Sequence, residues 1–170
     1  MKKFFKKILV LLVVVVVVVV GFKILTAPKN AEIGETVKYN DIAEFVVNDI
    51  SVYENKLDLF EAGYGISGDY EDDGFVKVEF TIENIGKEDF TVYPERVFVD
   101  YDDGVTYKSD LLFYHTSSDS YKNCPGGFVL EKVTSDAKTF TMLVAVPQEI
   151  IENEEKSLDV RVFDYTYTVR

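Results

Sequence analysis

Val76-Lys77-Val78-Glu79-Phe80-Thr81-Ile82-Glu83 decides the fold class. Apolar residues hold every second position and polar residues the positions between. That is the period of a strand with one face buried and one face wet. The same reading extends outward along the chain. Phe140, Met142, Val144 and Val146 alternate with Thr139, Thr141, Leu143 and Ala145, which predicts a strand buried on nearly both faces. Leu158, Val160 and Val162 alternate with Asp159 and Arg161, after which Phe163, Tyr165, Tyr167 and Val169 carry the apolar positions. The phase slips by one there, which predicts a bulge or a crossover between sheets near Phe163–Asp164. Val97, Val99 and Tyr101 make a shorter strand, and Phe45 to Tyr53 another with Asn48-Asp49 in its middle.

Turn signals separate these runs: Asp72-Asp73-Gly74, Asn84-Ile85-Gly86-Lys87 and Asp102-Asp103-Gly104. Asp-Gly accepts the positive φ of a tight hairpin, which predicts paired strands near 96–101 and 105–108. Only Pro147 to Glu155 reads as helical, one or two turns long with proline at its start. Seven or eight short strands without a long amphipathic helix predict an all-β fold, a β-sandwich. Residues 56–74 and 109–127 read as two long loops, the places where function usually sits on a rigid sandwich.

The charge divides the chain in two. Overall it is −12, but residues 1–27 hold 20 apolar residues, five lysines and no acid. Residues 28–170 hold 13 basic against 30 acidic residues, a net −17. A body that acidic argues against nucleic acid as a partner, because neutralising phosphates takes clustered lysine and arginine. It also carries 21 Phe and Tyr in 143 residues, too aromatic for a disordered tail.

Val13 to Val20 is an unbroken run of eight valines. From Phe4 to Leu25 a helix would be about 33 Å long, enough to span hydrocarbon if Lys6, Lys7 and Lys23 snorkel at the ends. A cleaved signal peptide is the alternative, which would leave the body secreted. Leu25 at −3 and Pro28 after Ala27 make a poor cleavage site. A lipoprotein signal needs a cysteine directly after the apolar stretch, and the one cysteine is Cys124. The expectation is therefore an uncleaved anchor over residues 1–27, a short linker over 28–33 and a sandwich over 34–170. Four lysines before the span place the N-terminus in the cytoplasm and the C-terminal domain outside the cell, single-pass in the cell membrane.

Gly34-Glu35-Thr36-Val37 leading into Phe45-Val46-Val47-Asn48, the strand Phe75–Ile82, Asn84-Ile85-Gly86-Lys87-Glu88, the aspartate-rich turn within Asp100–Tyr107, and Thr139–Pro147 come in an order that carries a resemblance. The chain resembles the immunoglobulin-like extracellular domain of unknown function found in Gram-positive membrane-anchored proteins and surface lipoproteins. The same structural group includes a mycobacterial immunoprotective secreted antigen. The resemblance covers roughly residues 32–165 and implies an immunoglobulin-like sandwich. It implies no catalytic residue. The missing lipoprotein cysteine and the long 109–127 segment depart from the family's layout.

Candidate chemistry is sparse. Cys124 cannot form an intrachain disulfide. As a nucleophile it would need His115 or another base within hydrogen-bond reach, and Tyr121-Lys122-Asn123-Cys124-Pro125 lacks the Thr-Leu-x-Thr-Cys strand of membrane-anchored sortases. One histidine and one cysteine are also too few for a zinc site. Asp72, Asp73, Asp100, Asp102 and Asp103 supply clustered oxygens of the kind calcium takes, although their spacing does not match a twelve-residue calcium loop and aspartate before glycine is ordinary turn chemistry. Tyr64, Tyr70, Tyr114 and Tyr121 fall in the two long loops and are the contact candidates, since tyrosine offers large amphipathic area at low entropic cost. The expectation is a non-enzymatic module without a resident cofactor, calcium aside. It would recognise an extracellular protein, a peptide or an envelope component, and the acidity favours a cationic or metal-bridged partner. A calcium-binding or ion-responsive surface module, and an accessory subunit of a membrane complex docked through its span, are the alternatives.

Overall fold

A computed structural model describes residues 29–101, 104–116, 121–132 and 136–170. The expected membrane segment, residues 4–25, lies outside them, as do Asp102 and Asp103. Among the described residues no helix is long and apolar enough to cross a membrane.

The body is a sandwich. One sheet has five strands, in the order β1 (Lys29–Asn30), β13 (Tyr165–Thr168), β12 (Leu158–Val162), β6 (Val97–Tyr101) and β7 (Thr106–Lys108). The other has six, in the order β2 (Thr36–Tyr39), β3 (Ala43–Tyr53), β4 (Asp73–Asn84), β11 (Lys138–Pro147), β8 (Leu111–His115) and β9 (Tyr121–Asn123). A separate ribbon pairs β5 (Phe90–Val92) with β10 (Phe128–Leu130). Two helices are short: α1 (Lys56–Glu61) and α2 (Gln148–Glu152). All pairings are antiparallel except β1 with β13. Residues 29 and 30 therefore belong to the sandwich, inside the stretch expected to be a linker.

The period-two reading places the core. Val76, Val78, Phe80 and Ile82 of β4 and Phe140, Met142, Val144 and Val146 of β11 are all fully buried. They face Val97, Val99, Leu158, Val160 and Val162 from the opposite sheet in one cluster. Each such side chain contributes roughly 1.5–3 kcal/mol by leaving water. Parity within β3 is restored by a bulge at Asn48: Val47 opposes Phe80 and Asp49 opposes Glu79, so Val47 and Ile50 both point inward.

The phase slip at Phe163–Asp164 is a hairpin turn, not the expected bulge or crossover. β12 and β13 are antiparallel neighbours, and Phe163 adopts φ 53° to close the turn between them. Its ring is held in that left-handed conformation by packing, 4.9 Å from Tyr39 and 5.1 Å from Phe45.

Both expected loops contain regular structure. In 56–74, Asn55 caps α1 by accepting from the Leu57 and Asp58 amides at 2.9 and 3.1 Å. Gly63 ends it at φ 97°, a conformation that glycine adopts without steric cost. The segment 109–127 holds β8 and β9, with Phe113 opposite Thr141 and Asn123. The hairpin of β6 and β7 and the short helix after Pro147 stand where the sequence places them. α2 buries Ile150 and Ile151 against the end of the core, where the absent side chain of Gly74 gives Ile151 its room.

Candidate functional site

The outer face of the six-stranded sheet is the most featured surface of the molecule. Its residues come from the polar phase of each strand. The register places Asp49, Glu79, Thr141 and Phe113 in one cross-strand row, and Ser51, Lys77, Leu143 and Leu111 in the next. One end of this face is roofed. α1 and the chain after it lay Leu59 and Tyr64 over Phe75, Phe113 and Leu143, making a second small core. Lys56 Nζ donates to the Gly68 carbonyl at 3.0 Å and ties the roof to itself. The neighbouring half is open and polar.

Three sets of contacts organise the open half. Asn48 Nδ2 donates to Thr81 Oγ1 at 2.9 Å, which lies 3.0 Å from Thr139 Oγ1. Lys77 Nζ sits 2.9 Å from Asp49 Oδ2 and 5.9 Å above the Tyr64 ring, and the Ser51 hydroxyl donates to the same carboxylate. Thr141 Oγ1 lies 2.7 Å from His115 Nε2 and 3.4 Å from the Tyr64 hydroxyl, so one buried hydroxyl joins two rings. Glu79 Oε2 stands 4.0 Å from the same His115 nitrogen. The Tyr121 ring closes the group, 4.7 Å from both the His115 and the Tyr64 ring centroids. Tyr121 is 42% exposed, whereas Tyr64 is 4% exposed.

Burial sets the electrostatics. It holds the His115 imidazole below the ordinary 6.5, with Glu79 opposing and Lys77 adding to the shift, so the ring is neutral at pH 7. Burial also opposes the Lys77 charge, but the hydrogen bond and charge of Asp49 outweigh it and hold the ammonium above its usual range. Burial would raise Asp49, but hydrogen bonds from Ser51 and Lys77 hold it below the ordinary carboxylate value. The Tyr64 hydroxyl is pushed well up, chiefly by burial, and stays protonated.

A hydroxyl, an imidazole and a carboxylate stand together here, yet the geometry is not that of a nucleophile set. Thr141 and Glu79 both approach Nε2, and among the described residues no carboxylate is seen on the opposite ring nitrogen. Thr141 is also 0% exposed. Cys124 lies on the other side of the sheet, in the main core, with its thiol donating to the Lys122 carbonyl at 3.3 Å.

Residues 31–159 match the domain of unknown function DUF4352. The chain belongs to that family. Among solved structures, an uncharacterised β-sandwich protein from Clostridium difficile 630 is similar to this DUF4352 chain, with TM-score 0.56 at 17% identity over 84% of this chain and 96% of the other. A functionally unknown protein from Listeria monocytogenes EGD-e matches with TM-score 0.45 at 9% identity, over 79% and 70% of the two chains. No curated protein matches the chain. The first of these likenesses, to the Clostridium difficile protein, is one of fold.

The DUF4352 fold distributes the sequence-level candidates unevenly. Tyr64 and Tyr121 come together beside His115. Tyr64 is a packing residue of the roof, not an exposed loop contact. Tyr70 packs edge-on against Phe75 at 5.5 Å, with Lys56 above its ring. Tyr114 points into the sandwich, stacked on Phe128 at 4.6 Å. Of the five aspartates, Asp72 and Asp73 stand at the start of β4 while Asp100 is on the other sheet. Asp100 is already engaged: it accepts from Thr106 at 2.7 Å and faces the Arg161 guanidinium at 3.3 Å through both oxygens. Among the described residues no group of three His, Cys, Asp or Glu side chains is placed to hold a metal ion. Glu79, His115, Thr141 and Lys77 were missed as a group. The signal was the wet phase of two strands whose dry phase had settled the fold.

Proposed function

We propose that this domain is a non-catalytic recognition module, held on the outer face of a cell membrane by residues 4–25, and that it meets a protein or peptide partner through the open half of the six-stranded sheet. The reading keeps the immunoglobulin-like kinship and the Gram-positive surface setting that the resemblance implies. The observation that carries it is the contrast on a single sheet face: one half is covered by the chain's own roof, while the other presents an exposed Tyr121 beside a preorganised hydroxyl, imidazole and carboxylate group. Rigid aromatic contacts amid hydrogen-bonding groups suit protein recognition. The separation of Cys124 from His115 and the full burial of Thr141 support a binding role over chemistry.

Two measurements test this. A cysteine at exposed Glu154 should react with a membrane-impermeant maleimide on intact cells; reaction only after lysis overturns the outward placement. A photo-crosslinking residue at position 121 should give an adduct of defined mass in cells that the same residue at position 149 does not. Equal adducts at both positions overturn the assignment of the face.

A further inference from the structure

We propose that Glu79 and Tyr121 form a seat for one lysine or arginine side chain of the partner, a specific contact within the recognition face on whose assignment it rests. The molecule builds the same pairing of carboxylate and aromatic ring twice for its own cations. Arg161 lies between Asp100 and the Phe98 ring, at 3.3 Å and 4.7 Å. Lys77 lies between Asp49 and the Tyr64 ring, at 2.9 Å and 5.9 Å. Glu79 and Tyr121 repeat the pairing, flanking His115 at 4.0 Å and 4.7 Å.

Here the described residues pair no permanent cation with the two. Among the described residues no lysine or arginine lies within ion-pair distance of Glu79, whose one such neighbour is the His115 imidazole, although its charge is felt by Lys77. That ring is neutral at pH 7 because burial disfavours its charge. Nor does any described lysine or arginine lie over the Tyr121 ring. Lys77, the nearest cation on the same strand, is committed to Asp49. An ammonium or guanidinium settling beside the His115 ring against Glu79 and Tyr121 gains an ion pair and a cation–π contact; the imidazole is neutral, and the nearby Lys77 charge is already paired with Asp49. The surrounding field helps, since residues 28–170 carry 13 basic against 30 acidic side chains.

The test uses the full chain in zwitterionic micelles at about 0.15 M salt, where surface charges more than ~8 Å apart are screened, with a fluorescent pentalysine peptide as probe. Anisotropy should show Glu79→Gln weakening binding about tenfold and Tyr121→Ala about three- to tenfold, with Tyr121→Phe close to the parent. Glu149→Gln, an exposed acid elsewhere, should change it by less than about twofold. Equal losses for Glu79→Gln and Glu149→Gln overturn the seat, because diffuse acidity then accounts for binding. Amide shifts on peptide addition separate the two levels of the argument. Shifts centred on Glu79, His115 and Tyr121 support the seat. Shifts on the open sheet face but away from Glu79 overturn the seat and leave the face standing. Shifts off that face overturn both. Unchanged melting temperatures of the variants exclude misfolding as the cause.

Discussion

The two outer faces of the sandwich treat charge differently. On the five-stranded sheet, Arg161 forks onto Asp100 and stacks over Phe98, and Thr106 donates to the same carboxylate. That face closes the Asp100–Arg161 pair upon itself, although Asp159 Oδ1 and Arg161 Nε are buried there without a hydrogen-bond partner. On the open half of the six-stranded sheet Lys77 does likewise with Asp49 and Tyr64, but Glu79 and Tyr121 beside it have no lysine or arginine within ion-pair or ring-contact distance among the described residues. Similar strand chemistry therefore yields a carboxylate paired with an arginine on one side and a carboxylate left to a neutral imidazole on the other. What differs is the placement of one or two basic residues, not the fold.

The largest effect comes from removing what separates the roofed half from the open half. Leu59 is fully buried beneath α1, and Leu59→Ala should cost about 2–5 kcal/mol in urea unfolding. It should also release Tyr64 and so blur the boundary; a loss below about 1 kcal/mol would mean the roof is not a packed core. Next is Arg161→Ala on the closed face, expected to cost about 1 kcal/mol because the pair is partly exposed. Arg161→Lys should recover only part of that, since an ammonium cannot fork onto Asp100; full recovery would remove the fork from the account.

A smaller effect should appear with pH. The folded state holds His115 below the ordinary 6.5, so the unfolded chain takes the proton first. Stability from this group is full above about pH 6.5 and declines as pH falls from there towards the lower folded value. His115→Gln should flatten the melting temperature between pH 7 and 5.5 relative to the parent, and parallel curves would contradict the depressed imidazole. Smallest of all is Glu79→Gln, which should leave unfolding free energy within about 0.5 kcal/mol. A larger loss would make Glu79 part of the framework, as Asp100 is.

The sandwich was legible because its long strands carry an unbroken apolar phase that faces the core. β4 and β11 keep apolar residues at every second position, and that phase faces the core from one sheet, although the other phase of β11 is buried too, under the roof. β8 was not legible. Leu112 fills the main core while Phe113 lies under the roof, so both phases are apolar and the period vanishes. α1 was hidden for a different reason: six residues span too few turns to show a helical period, and its evidence is one cap at Asn55. The hairpin at Phe163 looked like a slip because a large aromatic residue occupies a left-handed turn position, where glycine or asparagine would have announced it. Tyr64 and Tyr121 were found as tyrosines in long loops, although one is core and the other a strand residue. Their meeting with His115 depends on cross-strand register, which no local pattern encodes.

The parallel pairing of β1 with β13 has a mechanical side. Entering chain is fastened at Lys29 and Ala31 by amides donating to the Asp164 and Thr166 carbonyls at 2.9 and 3.0 Å. Tension arriving from the N-terminal side would load these two bonds first, in shear along the strand. Their release would lengthen the tether by roughly 10 Å, at about 3.3 Å for each of three residues, before any strand of the main sheets parted. A pull from that side would give way at β1 and spare the rest of the domain.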